Sequence, residues 1–238
     1  KTLFINLLIE EFCITTYLNR KLKQKKKIEK FMQNYIKSTL SMSPVMPVLT
    51  INDIDNVEYL FEALINGNLK VVEITLRTDC ALKAIEIASK KFPSLKTGAG
   101  TVLSKEDLNS VKDAGATFAV SPGSTISLAT HALEKEFPFL PGVSNSSDIM
   151  NLMNLDYKFF KFFPAQAAGG LEYLKSLSGP FPEILFCPTG GINQNNAHEW
   201  LSQKNVICVG GSWIIPPESR DYKEITKRAL LASKLKNR

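Results

Sequence analysis

Eight short apolar or β-branched runs, spread at near-even intervals, restrict the fold of this chain more than any other feature. They begin near Val45, Val71, Lys96, Phe118, Phe139, Tyr157, Ile184 and Val206, spaced by 26, 25, 22, 21, 18, 27 and 22 residues. The intervening stretches carry helical periodicity. Asp55–Asn66 places Val57, Leu60, Phe61 and Leu64 on one face, and Asp79–Lys91 does the same with Ala81, Ala84, Ile85 and Ala88. Ser104 to Asp107 reads as a capping box with Asp in place of Glu, opening a third helix, and a last helix runs from about Asp221 to Leu235. Strand–helix units of this length favour parallel strands. Eight of them are expected to close into a (β/α)8 TIM barrel, an α/β fold whose site residues sit at the C-terminal strand ends. The rival, an open doubly wound sheet, ordinarily shows a Gly-rich turn after its first strand; here that strand runs into Thr50-Ile51-Asn52-Asp53. The barrel is expected over residues 42–238, whose 197 residues lie at the lower size limit of the fold.

Residues 1–41 differ from the rest and are expected to form a helical or partly disordered N-terminal extension. Residues 1–37 hold nine Lys or Arg against three Asp or Glu, so the whole formal charge of +6 resides there and the remaining body is neutral. A basic nucleic-acid face on the body has no support from charge. An apolar stretch over residues 3–18, interrupted by Glu10 and Glu11, precedes the basic run at residues 20–27, the reverse of a secretory signal. A solvated helix or tail is the simpler reading, with residues 1–31 expected to be dispensable. No run of 18 apolar residues would span a membrane. Cys13, Cys80, Cys187 and Cys208 are scattered without paired spacing, which points to a reducing, cytoplasmic setting. With only His131 and His198 present, a metal site is not expected, and both histidines read as packing or surface groups.

Polar residues inside strands carry the functional signal. In Val71–Arg77 the side chains alternate, so Val72, Ile74 and Leu76 face the helices while Glu73, Thr75 and Arg77 face inward, with Arg77 nearest the C-terminal edge. A buried Glu and Arg are costly unless paired or functional. In the sixth run Lys161 is flanked on each side by two phenylalanines, Phe159-Phe160 and Phe162-Phe163. An apolar surround disfavours the ammonium, leaving an amine able to condense with a ketone; Lys158, at the start of the run, reads as a snorkelling lysine. Paired glycines end the last two strands, at Gly190-Gly191 and Gly210-Gly211, where a phosphate site is common in barrels. Gly98-Ala99-Gly100-Thr101 puts a hydroxyl at the end of strand three, and Gly169-Gly170 reads as the structural opening of a helix.

Six blocks together resemble the signature of the KDPG and 4-hydroxy-2-oxoglutarate aldolases: residues 72–78, 98–102, Ser121-Pro122-Gly123, 160–165, 187–192 and 210–213. They fall in order over residues 44–235. One departure is Gln166-Ala167-Ala168, where the family usually carries a Glu and an Asn. The resemblance implies a class I, Schiff-base aldolase on a barrel, commonly a homotrimer, with no metal or other cofactor and a phosphorylated 2-keto acid as substrate. It implies Lys161 as the Schiff-base lysine and Glu73 as general acid and base. Arg77 and Thr101 would hold the substrate carboxylate, and Gly190, Gly191, Gly211 and Ser212 the phosphate. Thr189 would lie near the reacting centre, and Pro122 and Phe163 would shape the pocket wall.

Two other classes compete. A phosphosugar isomerase or epimerase could use the same glycine loops with Glu73 as base, but it has no need of an amine among aromatic rings. A non-catalytic barrel could bind nucleic acid or membrane through the basic arm. Neither nucleic acid nor membrane is expected as a partner.

Overall fold

A computed structural model of the chain describes residues 21, 23–24, 26–215 and 220–235. Most of the segment read as an extension, and the whole of its apolar stretch, lies outside the described residues. A first helix, α1, runs through residues 26–40. The remaining elements alternate as β1 (Val45–Leu49), α2 (Val57–Asn66), β2 (Val71–Thr75), α3 (Ala81–Lys91), β3 (Lys96–Gly100), α4 (Lys105–Asp113), β4 (Phe118–Val120), α5 (Ile126–Glu134), β5 (Phe139–Leu140), β6 (Gly142–Val143), α6 (Ser146–Met153), β7 (Phe159–Phe162), α7 (Gly170–Leu177), β8 (Leu185–Pro188), α8 (Ala197–Leu201), β9 (Val209–Gly211) and α9 (Tyr222–Ser233). The capping box at Ser104 and Asp107 is formed in both directions, which fixes the start of α4.

The strands do not form the closed eight-stranded TIM barrel that their spacing suggests. Among the described residues there are nine strands in two sheets, ordered β5-β4-β3-β2-β1-β9 and β6-β7-β8. All the strand pairs are parallel. The run at Phe139, read as one strand, is split by Pro141, which has no N–H to give to a ladder. Its first half pairs with β4 and its second half with β7. At the other seam β8 meets the chain before and within β9 only through isolated bridges, Phe186 with Val206 and Thr189 with Gly210. The result is a curled α/β arrangement of two parallel sheets around a shared interior.

Side-chain alternation divides the apolar residues between two sides of these sheets. Val72, Ile74, Phe160, Phe162 and Phe186 belong to a large cluster with helix residues such as Phe61, Ala84, Leu174 and Trp200. Met46, Val71, Phe118, Val120, Leu140, Phe159, Cys187 and Cys208 form a second cluster in the interior, and Ile36 and Leu40 of α1 join it. These two side chains are 1% and 0% exposed, so α1 closes the N-terminal end of the strands. The Cys208 thiol donates to Cys187 Sγ at 3.4 Å. That bond, together with burial, pushes the Cys208 thiol well above its usual range. Truncating a fully buried aliphatic side chain costs about 2–5 kcal/mol. Ile36→Ala and Leu40→Ala are each expected to lower unfolding stability in urea by that order, whereas Lys37→Ala, on the exposed face of α1, changes it by less than about 0.5 kcal/mol.

Candidate active site

Among the described residues, a close pair of opposite charges lies between the two sheets. Glu73 lies in the middle of β2 and Lys161 in β7, so they come from different sheets. Lys161 Nζ donates to Glu73 Oε1 at 2.8 Å and to Oε2 at 3.2 Å. The residues are 0% and 3% exposed. The carboxylate fits only because the neighbouring strand is bare: Gly100 pairs with Thr75 in the β2–β3 register, and a Cβ on it would run into Glu73 Oε1. Gly98 likewise leaves room for the Phe118 ring. Sequence reasoning assigned Gly98 and Gly100 to a strand end; the signal it missed was their spacing of two, which puts both on the inner face.

The four flanking phenylalanines do not enclose the amine as the sequence suggested. Phe160 and Phe162 point outward, packing against Phe186, and Phe162 also stacks on Tyr173. Phe159 shares the inner side but lies at the base. Phe163, half-buried, is the ring that meets Lys161, with Nζ 5.3 Å from its centroid. The amine therefore has a carboxylate on one side and an aromatic face on another.

Arg77 lies beyond the end of β2 and is exposed, so it does not pair with Glu73 inside the strand. Its Nε donates to Thr101 Oγ1 at 3.2 Å. Thr101 follows Gly100 directly and takes φ of 59°, a left-handed conformation uncommon for a β-branched residue. The pair thus stands at the strand edge beside the glycine that abuts Glu73. Thr75, between Glu73 and Arg77 on the inner face, donates to the Leu49 carbonyl at 2.8 Å.

On the other flank, Thr189 is buried and donates through Oγ1 to the Cys187 carbonyl at 3.3 Å. It sits against Gly210, where a Cβ would strike its hydroxyl. Gly190 and Gly191 then turn with φ of 102° and 77°, a path open to glycine. Gly211 lies under the Trp213 ring, and Ser212 is exposed beside it. A cleft of about 510 Å³ opens at Ser212 and continues past Trp213 to Thr50, Ile51 and Asn52. Pro122 is half-buried at the end of β4, its carbonyl against Gly142. Gly169 caps α7 as the sequence indicated. His131 Nε2 lies 3.1 Å from Asn109 Oδ1 on the helical layer, away from these groups.

Comparison with known proteins bears on this arrangement. The family described as "Aldolase: KDPG and KHG aldolase" matches residues 36–228. The KHG/KDPG aldolase of Escherichia coli K12 is 44% identical over 195 residues, covering 81% of this chain and 92% of that protein. Among solved structures, the 2-keto-3-deoxy-6-phosphogluconate aldolase of Zymomonas mobilis ZM4 with 3-phosphoglycerate superposes with a TM-score of 0.84 at 45% identity, covering 86% of this chain and 98% of that one. The KDPG aldolase of Legionella pneumophila, with pyruvate captured as a covalent carbinolamine, gives 0.81 at 44% identity, covering 83% and 97%.

The closed pair generates a stability prediction. Removing one partner of a buried pair leaves an uncompensated charge, at a cost of about 3–5 kcal/mol. Lys161→Met is expected to be destabilised by that order in chemical denaturation. The double variant Lys161→Met with Glu73→Gln recovers more than half of the loss.

Proposed function

The chain belongs to the KDPG and KHG aldolase family, and from that premise we propose how its own residues carry out the reaction. It is a class I aldolase, a lyase that cleaves 2-dehydro-3-deoxy-6-phosphogluconate to pyruvate and glyceraldehyde 3-phosphate through a lysine Schiff base. The observation that carries the residue assignment is the 2.8 Å contact between Lys161 and Glu73 inside the curled sheets. A class I aldolase needs an ammonium that can be deprotonated to the amine and a base that can handle two protons in turn. This pair supplies both at hydrogen-bond distance.

In the proposed sequence, Lys161 Nζ gives up a proton to Glu73 and attacks the C2 ketone of the substrate. Glu73 returns that proton to the carbinolamine hydroxyl, which departs as water and leaves an iminium, an electron sink, with Glu73 again a carboxylate. Glu73, acting through a bound water, takes the proton of the C4 hydroxyl. The C3–C4 bond breaks, its electrons passing into the enamine, and the aldehyde leaves. Protonation of the enamine at C3 and hydrolysis return pyruvate and free Lys161. Arg77 grips the C1 carboxylate by charge-assisted bonds, and Thr101, held by Arg77, adds a donor. Gly190, Gly191, Gly211 and Ser212 present backbone and hydroxyl donors to the phosphate. Thr189 borders the reacting carbons, and Phe163 and Pro122 form the wall. The same residues would accept 4-hydroxy-2-oxoglutarate, which releases glyoxylate in place of the triose phosphate.

The wider reading includes a cytoplasmic homotrimer. Exposed apolar side chains on successive elements support self-association: Leu103 before α4, Ile126 opening α5, and Met150 on α6. No helix among the described residues is long and apolar enough to cross a membrane. The aldolase unit is assigned to residues 42–238 and the extension to 1–41, with α1 as the part of the extension that closes the base.

Borohydride reduction with pyruvate tests the assignment. A covalent adduct is expected on the tryptic peptide containing Lys161, and no adduct in Lys161→Met; an unmodified Lys161 in active enzyme would overturn it. Arg77→Ala is expected to weaken pyruvate binding about tenfold or more, the order of one lost bond to a charged group. Isothermal titration with pyruvate measures this, and unchanged affinity would remove Arg77 from the carboxylate site.

A further inference from the structure

The inner face of β1 leads from the closed base to the open edge. Met46 belongs to the interior cluster, whereas Val45 and Leu49 pack toward the helices. By the period of two, Val48 and Thr50 follow Met46 on the inner side. The register puts Val48 level with Glu73. Continued by two residues, it sets Thr50 beside Thr75, and their hydroxyl oxygens lie 3.2 Å apart. Val48 and Thr50 both line the cleft of about 510 Å³ that opens at Ser212.

A threonine hydroxyl has one proton and two lone pairs. Thr75 spends its proton on the Leu49 carbonyl at 2.8 Å. Its contact with Thr50 is therefore closed by the Thr50 proton. Thr50 Oγ1 is left with acceptor capacity alone, at an exposed position. The backbone beside it is tied down: the Ile51 carbonyl accepts from Cys80 Sγ at 2.8 Å and from Thr78 Oγ1 at 2.5 Å. The fold thus presents to the cleft a held oxygen that takes a hydrogen bond and has no proton to give.

We propose that Thr50 is a specificity-determining residue, its oxygen accepting a hydrogen bond from the hydroxyl on C5 of the sugar acid. The inference deepens the aldolase reading and rests on it. In the strand order β3-β2-β1-β9, the carboxylate-holding Arg77 and Thr101 follow β2 and β3, while Ser212 follows β9. A substrate stretched between them crosses β1 at mid-length. Two of its hydroxyls lie there. The one on C4 gives its proton to Glu73 through water. The one on C5, a carbon nearer Ser212, brings a proton that needs an acceptor, and Thr50 offers one. The carboxylate of 4-hydroxy-2-oxoglutarate occupies that carbon without a proton, so it would set lone pair against lone pair. Thr50 therefore favours the sugar acid over the shorter substrate.

The test compares cleavage of 2-dehydro-3-deoxy-6-phosphogluconate with that of its 5-deoxy analogue, which lacks only the C5 hydroxyl. Thr50→Val changes almost no volume at an exposed position, so the variant folds as the parent does. Its ratio of kcat/KM for the hydroxylated over the 5-deoxy substrate is expected to fall about threefold to tenfold, the size of one neutral hydrogen bond. Thr50→Ser, which keeps the hydroxyl, is expected to retain at least half of the parent ratio. An unchanged ratio in Thr50→Val overturns the proposal. So do equal losses on both substrates, the mark of a role confined to packing against Thr75, and a fall in Thr50→Ser as large as in Thr50→Val. Borohydride trapping of pyruvate on Lys161 is run on each variant alongside. Failure of trapping in the parent protein defeats the aldolase assignment, whereas normal trapping with an unchanged ratio defeats only the role of Thr50.

Discussion

A lysine and a glutamate facing one another in a closed interior set the terms for the rest of the molecule. Each charge is expensive to remove from water, and their mutual attraction offsets the loss only when the geometry is close. The 2.8 Å contact meets that condition. It also ties the two sheets together, since Glu73 is on β2 of one and Lys161 on β7 of the other. Gly100 yields the volume that the carboxylate occupies, and α1 closes the base with Ile36 and Leu40. Sealing one end leaves the C-terminal edge, where Arg77 and Ser212 are exposed, as the end that meets solvent.

Much of this was legible in the sequence because alternation along a strand is a strict period. Once Val71–Thr75 is taken as a strand with helices on one side, Val72 and Ile74 must face the helices and Glu73 must face in. The same rule, applied to Phe159–Phe162, turns Lys161 inward. It also contradicts the picture of a lysine ringed by its sequence neighbours: Phe160 and Phe162, one residue away on either side, must point outward, and they do. What the residue chemistry alone could not supply was the partner. That Glu73 and Lys161 touch depends on 88 residues of intervening chain. Arg77 was read as part of the same strand, yet β2 ends at Thr75 and the guanidinium turns to Thr101 instead.

The closed barrel failed at two places for backbone reasons. A ladder needs a donor at alternate residues, and Pro141 has none, so the run at Phe139 breaks into two pieces that serve different sheets. The proline was visible in the sequence, but its effect was masked by the apolar character of the residues around it. At the second seam, the β9 segment is short and glycine-rich, and it pairs with β1 while touching β8 only at isolated bridges. Interrupted pairing at a seam costs hydrogen bonds, but those groups lie at the edge where Thr189 and Ser212 also lie. A continuous ladder through Gly210 and Gly211 would commit more of the N–H groups that the proposed phosphate site draws on.

The charge pair explains itself better as chemistry than as stability. Apolar residues of similar volume often replace a buried ion pair without loss of stability, so its presence in the core calls for another reason. An aldolase supplies one. The ammonium must become an amine before it attacks, and the proton needs an acceptor within reach; Glu73 is already bonded to it. After cleavage a proton must return to carbon, and in the proposed scheme the carboxyl group that has just received one is its source. Holding the two groups in contact before substrate arrives removes the need to bring them together during the reaction.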